Sequence, residues 1–328
     1  MIFEPSYLKL YNSGELRHRK VYAEKLLSSC TICPQDCLID RTKDELGKCL
    51  SGYLPIVSAY TAHFGEEPVL SGTHGAGNIF FGNCNLKCIY CQNSDISQNW
   101  KSEIKNQVSF ERLADIMIEL QEKKCHNIGL VSPTHFSSQI IKSIEIAIEK
   151  GLILPIIYNT NGYDSVEMLK LYDGIIDIYL PDFKYGSNEY AKKYSKVDNY
   201  FEKTKSALKE MYIQLGDEVI YEGNILLRGL IIRHLVLPND LSETEEVLKF
   251  IAEELSNKIH LSIMSQYYPT FHANNDILID RTIRESEYNR VLMLLDKYGF
   301  ENVFTQEIES FETYRPDFQR NREKPFSF

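Results

Sequence analysis

The sequence predicts an α/β protein, a partial, open barrel of (β/α)6 type preceded by a small cysteine-rich segment. Three observations carry that reading. From Gly77 onward, apolar runs rich in Ile and Val alternate with helical periodicity, which is the signature of βα units. The runs are continuously apolar, as expected of parallel strands covered on both faces. Six clear runs and a weaker seventh are too many for one mononucleotide-binding half and too few for a closed eight-unit barrel.

The strand runs are Asn78 to Gly82, Asn127 to Ser132, Leu154 to Asn159, Ile175 to Leu180, Leu230 to Leu237 and Ile259 to Met264, with Asn302 to Gln306 as the weaker one. Between them, Leu113, Ile116, Met117 and Leu120 follow i, i+3, i+4, i+7 spacing, and Val247, Leu248, Ile251 and Leu255 repeat it. Ser242 and Glu245 form an S-x-x-E capping box ahead of the second of these helices, and Gly151 closes the helix over Ile140 to Lys150. Ile213 to Leu227 reads as a hairpin turning at Gly216-Asp217. Residues 1–75 stand outside the alternation as a separate segment, 76–307 form the barrel, and 308–328 are a tail.

With 46 Asp plus Glu against 36 Lys plus Arg, the formal charge is -10. A broad basic footprint is therefore missing, and neither nucleic acid nor an anionic membrane is an expected partner. The chain holds no run of 18 apolar residues and no signal-peptide core, so the expected location is cytoplasmic.

Cysteine placement is the informative anomaly. Seven of the eight cysteines lie between Cys30 and Cys91, and Cys125 alone falls outside, where it reads as core. In a large chain without an export signal, clustered thiols suggest metal ligation rather than disulfides. Cys84, Cys88 and Cys91 form a C-x3-C-x2-C loop directly after the first strand run, with Tyr90 in the slot before the third thiol. Cys30, Cys33, Cys37 and Cys49 form C-x2-C-x3-C-x11-C, which suits tetrahedral zinc, an auxiliary 4Fe-4S cluster or simply reduced thiols.

The three-cysteine loop resembles the defining motif of the radical SAM superfamily. A 4Fe-4S cube ordinarily takes four thiolates, so three leave one iron open. The open iron chelates S-adenosylmethionine (SAM), and one electron breaks the sulfonium C–S bond to give a 5'-deoxyadenosyl radical. Within the superfamily, residues 30–307 resemble the pyruvate formate-lyase activating-enzyme group, in a branch with an N-terminal cysteine segment. That resemblance rests on Cys30 to Cys49, on His63-Phe64-Gly65-Glu66-Glu67-Pro68, on Ser71 to Gln92 and on the strand ends.

The resemblance implies a set of cofactor contacts. Tyr90 packs near the adenine, and Ser132 and Thr134 stand where the superfamily carries Gly-Gly-Glu for the SAM amino group. Asn161 lies in the Asn159-Thr160-Asn161-Gly162 stretch, and Asp182 and Lys184 match a D-x-K motif. Arg233 is the SAM-contacting arginine with His234 as a second candidate, and Gln266 replaces a histidine. Period-two geometry puts Asp182 and Lys184 on one face, and Arg233 and His234 on opposite faces. Ser71 to Gly77 reads as a turn passing close to the cluster. The implied partners are a flavodoxin- or ferredoxin-type electron donor and a glycyl radical enzyme whose backbone glycine loses hydrogen, or else another protein, peptide or small molecule. The alternative of a different class is a metal-binding module without catalysis.

Overall fold

A computed structural model describes residues 3–312, 316–319, 321–322 and 325–326. Its frame is one open nine-stranded sheet. The strands are β1 (Val57–His63), β2 (Ala76–Phe81), β3 (Ile128–Val131), β4 (Ile156–Thr160), β5 (Ile178–Pro181), β6 (Ile220–Glu222), β7 (Ile225–Leu235), β8 (His260–Met264) and β9 (Val303–Thr305). Their order is β1-β2-β3-β4-β5-β7-β8-β9, with β6 paired to β7 on the side. From β2 onward the neighbours along this path are parallel. All seven predicted runs are strands, and the sheet does not close on itself, so the architecture is a partial α/β barrel.

The alternation of faces is legible in the packing. On β7, Leu230 and Ile232 join the core under the helices, whereas Ile231 packs inside the barrel with Ile157, Ile178 and Leu180. On the outer face, Leu113, Ile116, Met117 and Leu120 of the helix Phe110–Glu122 are all buried, and Ser109 caps that helix by accepting from Arg112 N at 3.1 Å. Gly151, at φ +96°, follows the helix Ser137–Glu149 as the sequence predicts. Among the described residues no helix is long and apolar enough to cross a membrane.

Four expectations need correction. The sheet runs across the boundary drawn at residue 75, because β1 pairs antiparallel with β2; the helix between them, Pro68–Ser71, is a single turn, too short to show helical periodicity. The turn over Ser71 to Gly77 lies at the opposite end of β2 from the cysteine loop. A Cβ on Gly72 would strike Ile225 and His126, which begin and precede the strands β7 and β3. The hairpin turns at Gly223, φ +59°, rather than at Gly216, which ends the helix Tyr200–Leu215. The capping box does not form: Ser242 Oγ accepts from Leu237 N at 3.3 Å, and the helix Thr244–Phe250 starts from Glu243 without a side-chain cap.

Between β1 and β2 the chain enters the barrel. Leu70 is fully buried among Ile157, Ile178, Leu180, Leu226 and Ile231, so residues 66–72 fill the lower lumen. Where the chain turns back into β2, Gly75 sits at φ +83° and a Cβ built on it would come within 3.1 Å of His63 O, a conformation and a crowding that favour glycine. At the other end of the sequence, Phe318 is buried with Phe80, Ala59, Ile96 and Val131, and Phe326 packs against them. Arg322 fastens this stretch by two bonds to the buried Glu103, at 2.7 and 3.1 Å.

Candidate active site

A cavity of about 670 Å³ opens at the carboxyl ends of the strands. Its roof is the cysteine loop after β2, and three backbone bonds hold that loop from two sides. Asn83 N bonds to Ile96 O at 2.8 Å, Lys87 N to Ser195 O at 3.1 Å, and Ile89 N to Tyr194 O at 2.9 Å. Cys84, Cys88 and Cys91 all line the cavity.

Each sulfur meets a polar hydrogen. Leu86 N and Asn161 Nδ2 approach Cys84 Sγ at 3.4 and 3.5 Å, Ser195 Oγ lies 3.0 Å from Cys88 Sγ, and Ser97 Oγ lies 3.2 Å from Cys91 Sγ. Burial pushes all three thiols up, Cys88 to about 12, while Lys184 pulls each of them down. Among the described residues no three His, Cys, Asp or Glu side chains form a cage for a single metal ion. A cube, by contrast, places its three ligands on three separate irons. Three thiols on one loop, bordering one cavity and supplied with sulfur-directed donors, fit such a cluster with one iron left open.

The inner wall is a chain of charges. Arg233 donates from Nε to Asp182 Oδ1 at 2.9 Å, from Nη1 to Glu66 Oε2 at 3.0 Å and from Nη2 to Asn159 Oδ1 at 2.7 Å. Lys184 Nζ donates to the other oxygen of Asp182 at 2.6 Å. Burial alone would raise the Asp182 carboxyl, yet Lys184 and Arg233 together hold it below its ordinary value. Glu66 also accepts from Asn78 Nδ2 at 2.8 Å. Glu67 beside it is 8% exposed; burial pushes its carboxyl up, and its Oε2 has no hydrogen-bond partner among the described residues.

Of the residues singled out from the sequence, Tyr90, Ser132, Asn161, Asp182, Lys184, Arg233 and Gln266 border this cavity with the three cysteines. Tyr90 OH bonds to Tyr185 OH at 2.6 Å, and its ring meets Tyr267 edge-on. Gln266 Oε1 accepts from Gln306 Nε2 at 3.2 Å. Two expected contacts lie elsewhere. Thr134 is buried in a network with Thr160 and Asp164, at 3.0 and 2.7 Å. His234 points to the helix side of β7, where Nδ1 bonds to Phe183 O at 2.6 Å and Nε2 to Thr244 Oγ1 at 2.9 Å. Burial pushes the His234 imidazole down to about 4, so it is a neutral core residue. Sequence reasoning missed Glu66, Glu67 and Asn159 as cavity residues and Ser195 and Tyr185 behind the loop. The adjacent carboxylates Glu66 and Glu67, ahead of Pro68, were the available signal for the first two.

The N-terminal cysteines stand behind the same loop. Cys30, Cys33 and Cys49 are buried and Cys37 is half-buried, and none is in a disulfide. Burial, then repulsion from Cys49, Cys30 and Cys37, pushes the Cys33 thiol up, which places the four within electrostatic reach of one another. A Cβ on Gly47 would come within 2.8 Å of Cys37 Sγ, so only glycine fits there. Gln35 Nε2 donates to Asn85 O at 2.7 Å and Tyr163 OH to Pro34 O at 3.3 Å, tying this segment to the roof of the cavity.

A three-thiol loop at the mouth of an open parallel barrel, above buried charges, is the donor set that an iron-sulfur cluster with one open iron would need. Residues 78–212 match the model of the radical SAM superfamily. The chain is 32% identical over 292 residues to the uncharacterized protein MJ0674 of Methanocaldococcus jannaschii, spanning 86% of this chain and 78% of that protein. It is 26% identical over 263 residues to MJ0808 of the same organism, spanning 74% and 71% respectively. It also aligns with the crystal structure of methylornithine synthase (PylB) over 93% of this chain and 80% of that one, at 13% identity and a TM-score of 0.42. Over residues 78–212 the chain therefore carries a radical SAM domain, which implies a 4Fe-4S cluster and SAM.

Proposed function

We propose that this protein is an activating-enzyme-like radical SAM oxidoreductase that removes a hydrogen atom from its substrate. The observation that carries the reading is the meeting, in one cavity, of the thiols of Cys84, Cys88 and Cys91 with the buried charges of Asp182, Lys184 and Arg233. A 4Fe-4S cluster held by the three thiolates supplies the electron that splits SAM into methionine and a 5'-deoxyadenosyl radical. The chain's own residues do the rest. Asp182 and Lys184 orient the amino-acid part of SAM, Asn161 donates toward the Cys84 sulfur, and Tyr90 walls the adenine side.

The first substrate candidate is a backbone glycine of a glycyl radical enzyme, with a flavodoxin- or ferredoxin-type protein as electron donor. A second reading, a small molecule or short peptide, is favoured by Pro316 and Phe326, which border the cavity where a bulky polypeptide would enter. For the four N-terminal cysteines the reading is an auxiliary 4Fe-4S cluster or zinc, with reduced thiols as the alternative, since among the described residues they form no cage for a single ion as they stand. The test is anaerobic reconstitution followed by electron paramagnetic resonance (EPR) of the reduced protein with and without SAM. The expected result is a cluster signal that changes on SAM addition in the wild type and is lost in Cys88→Ala. Normal SAM cleavage by Cys88→Ala would overturn the reading.

A further inference from the structure

Behind the cysteine loop, three buried hydroxyls form a continuous line. Tyr90 OH lies 2.6 Å from Tyr185 OH, Tyr185 OH lies 2.7 Å from Ser195 Oγ, and Ser195 Oγ lies 3.0 Å from Cys88 Sγ. Tyr185 and Ser195 are fully buried, so water does not compete for these bonds. We infer that Ser195 and Tyr185 are positioning residues for the cluster, forming a one-way hydrogen-bond relay that eases its reduction. This rests on the reading of Cys88 as a cluster ligand.

The direction of the relay follows from counting protons. Each hydroxyl has one proton to give, and a metal-bound thiolate has none and only accepts. Ser195 therefore donates to Cys88, which obliges Tyr185 to donate to Ser195 and Tyr90 to donate to Tyr185. All three dipoles then point their positive ends at one sulfur, and hydrogen bonds aligned in a chain strengthen one another. Hydrogen bonds to ligand sulfurs are among the levers that set a cluster's potential. Reduction adds one negative charge to the cluster, so the donors stabilise the reduced form more than the oxidised one.

Local structure keeps the relay in place without help from the side chains under test. Ser195 is the last residue of the helix Asn188–Ser195, and Lys196 turns the chain at φ +61°. The backbone carbonyls of Tyr194 and Ser195 pin the loop at Ile89 N and Lys87 N. Removing the Ser195 hydroxyl thus leaves the loop anchored. Tyr90, at the far end, borders the cavity, so the relay also joins the cavity wall to the cluster.

The experiment is an EPR-monitored redox titration of the SAM-responsive cluster in wild type, Ser195→Ala, Ser195→Thr and Tyr185→Phe, with iron content measured beside it. In Ser195→Ala the reduction equilibrium constant is expected to fall about tenfold, a negative shift of about 59 mV for a one-electron couple. Iron content should stay at the wild-type level. Tyr185→Phe should shift the potential in the same direction by less, Ser195→Thr should restore it, and Tyr185→Phe added to Ser195→Ala should do nothing further. A potential unchanged in Ser195→Ala with the cluster intact would overturn the relay and spare the cluster assignment. If Ser195→Ala loses its cluster, Tyr185→Phe decides, and an unchanged potential there overturns the relay. A wild-type protein that assembles no SAM-responsive cluster would overturn both the relay and the reading beneath it.

Discussion

Replacing Lys184 with Met removes one ammonium and keeps the aliphatic stem, and the charge chain around it sets the expected size of the effect. Lys184 holds one oxygen of Asp182 at 2.6 Å while Arg233 holds the other at 2.9 Å. Asp182 therefore loses one of two cations and remains paired. The stability cost should fall short of the roughly 3–5 kcal/mol of a fully orphaned buried charge, and a single hydrogen bond to a charged group puts it near 1.5–3 kcal/mol. Catalysis should suffer more. The Lys184 charge reaches the thiols of Cys84, Cys88 and Cys91, so on the proposed reading it would lie where SAM meets the cluster. A misplacement of about 1 Å there can cost roughly 100-fold in rate. The assay measures 5'-deoxyadenosine formed per cluster under dithionite, beside iron content and urea unfolding. Full iron with turnover lowered about 100-fold is the expected outcome. Wild-type turnover in the variant would refute the orienting role, and loss of iron would reassign Lys184 to cluster assembly.

Changing Cys33 and Cys37 together to Ala should lower bound metal while sparing the SAM response; iron falling by about half identifies an auxiliary cluster, falling zinc identifies a structural ion, and unchanged metal refutes a second site. Burial holds His135 down to about 3 and His234 to about 4. Both fold neutral, so their contribution to stability is full above the unfolded value near 6.5 and is lost as pH falls toward 4. At pH 5 each should cost about 2 kcal/mol relative to pH 7. Urea unfolding at the two pH values should show the loss, and His234→Asn should remove about half of it; an unchanged slope refutes the assignment. Arg322→Ala releases the clamp on Glu103 and should make limited proteolysis of the C-terminal tail several-fold faster without changing the far-UV spectrum, whereas an unchanged cleavage rate refutes the clamp.

What the sequence made legible was local. Each strand run from Asn78 onward announces itself by continuous apolar residues, and the spacing of Cys84, Cys88 and Cys91 lies within eight residues. What it hid was long-range or had no periodic signature. Glu66 meets Arg233 across 167 residues, and Ser195 meets Cys88 across 107. No spacing rule joins such pairs. β1 escaped because the helix between it and β2, Pro68–Ser71, is a single turn, too short to show helical periodicity. The S-x-x-E box at Ser242 failed because the Ser242 hydroxyl is drawn to Leu237 N and Thr244, so tertiary contacts outbid a local motif. His234 illustrates the limit of face arithmetic. Alternation placed it opposite Arg233, and the face it occupies belongs to the helices.

The C-terminal tail has a consequence for molecular selection. Phe326 packs on Phe80 and on His63, with ring centroids 5.7 and 4.0 Å apart, beside the cavity that holds the cysteine loop. A ring already seated on this wall competes with any ligand group that needs the same place. A polypeptide that needed this wall would have to displace Phe326, and its apparent affinity would be multiplied by the fraction of molecules in which the wall is free. A compound small enough to slip past Phe326 carries no such handicap. Pro316 and Phe326 thus form part of the cavity's rim, and bulk on that side of a substrate would meet these two rings on its way to the cysteine loop.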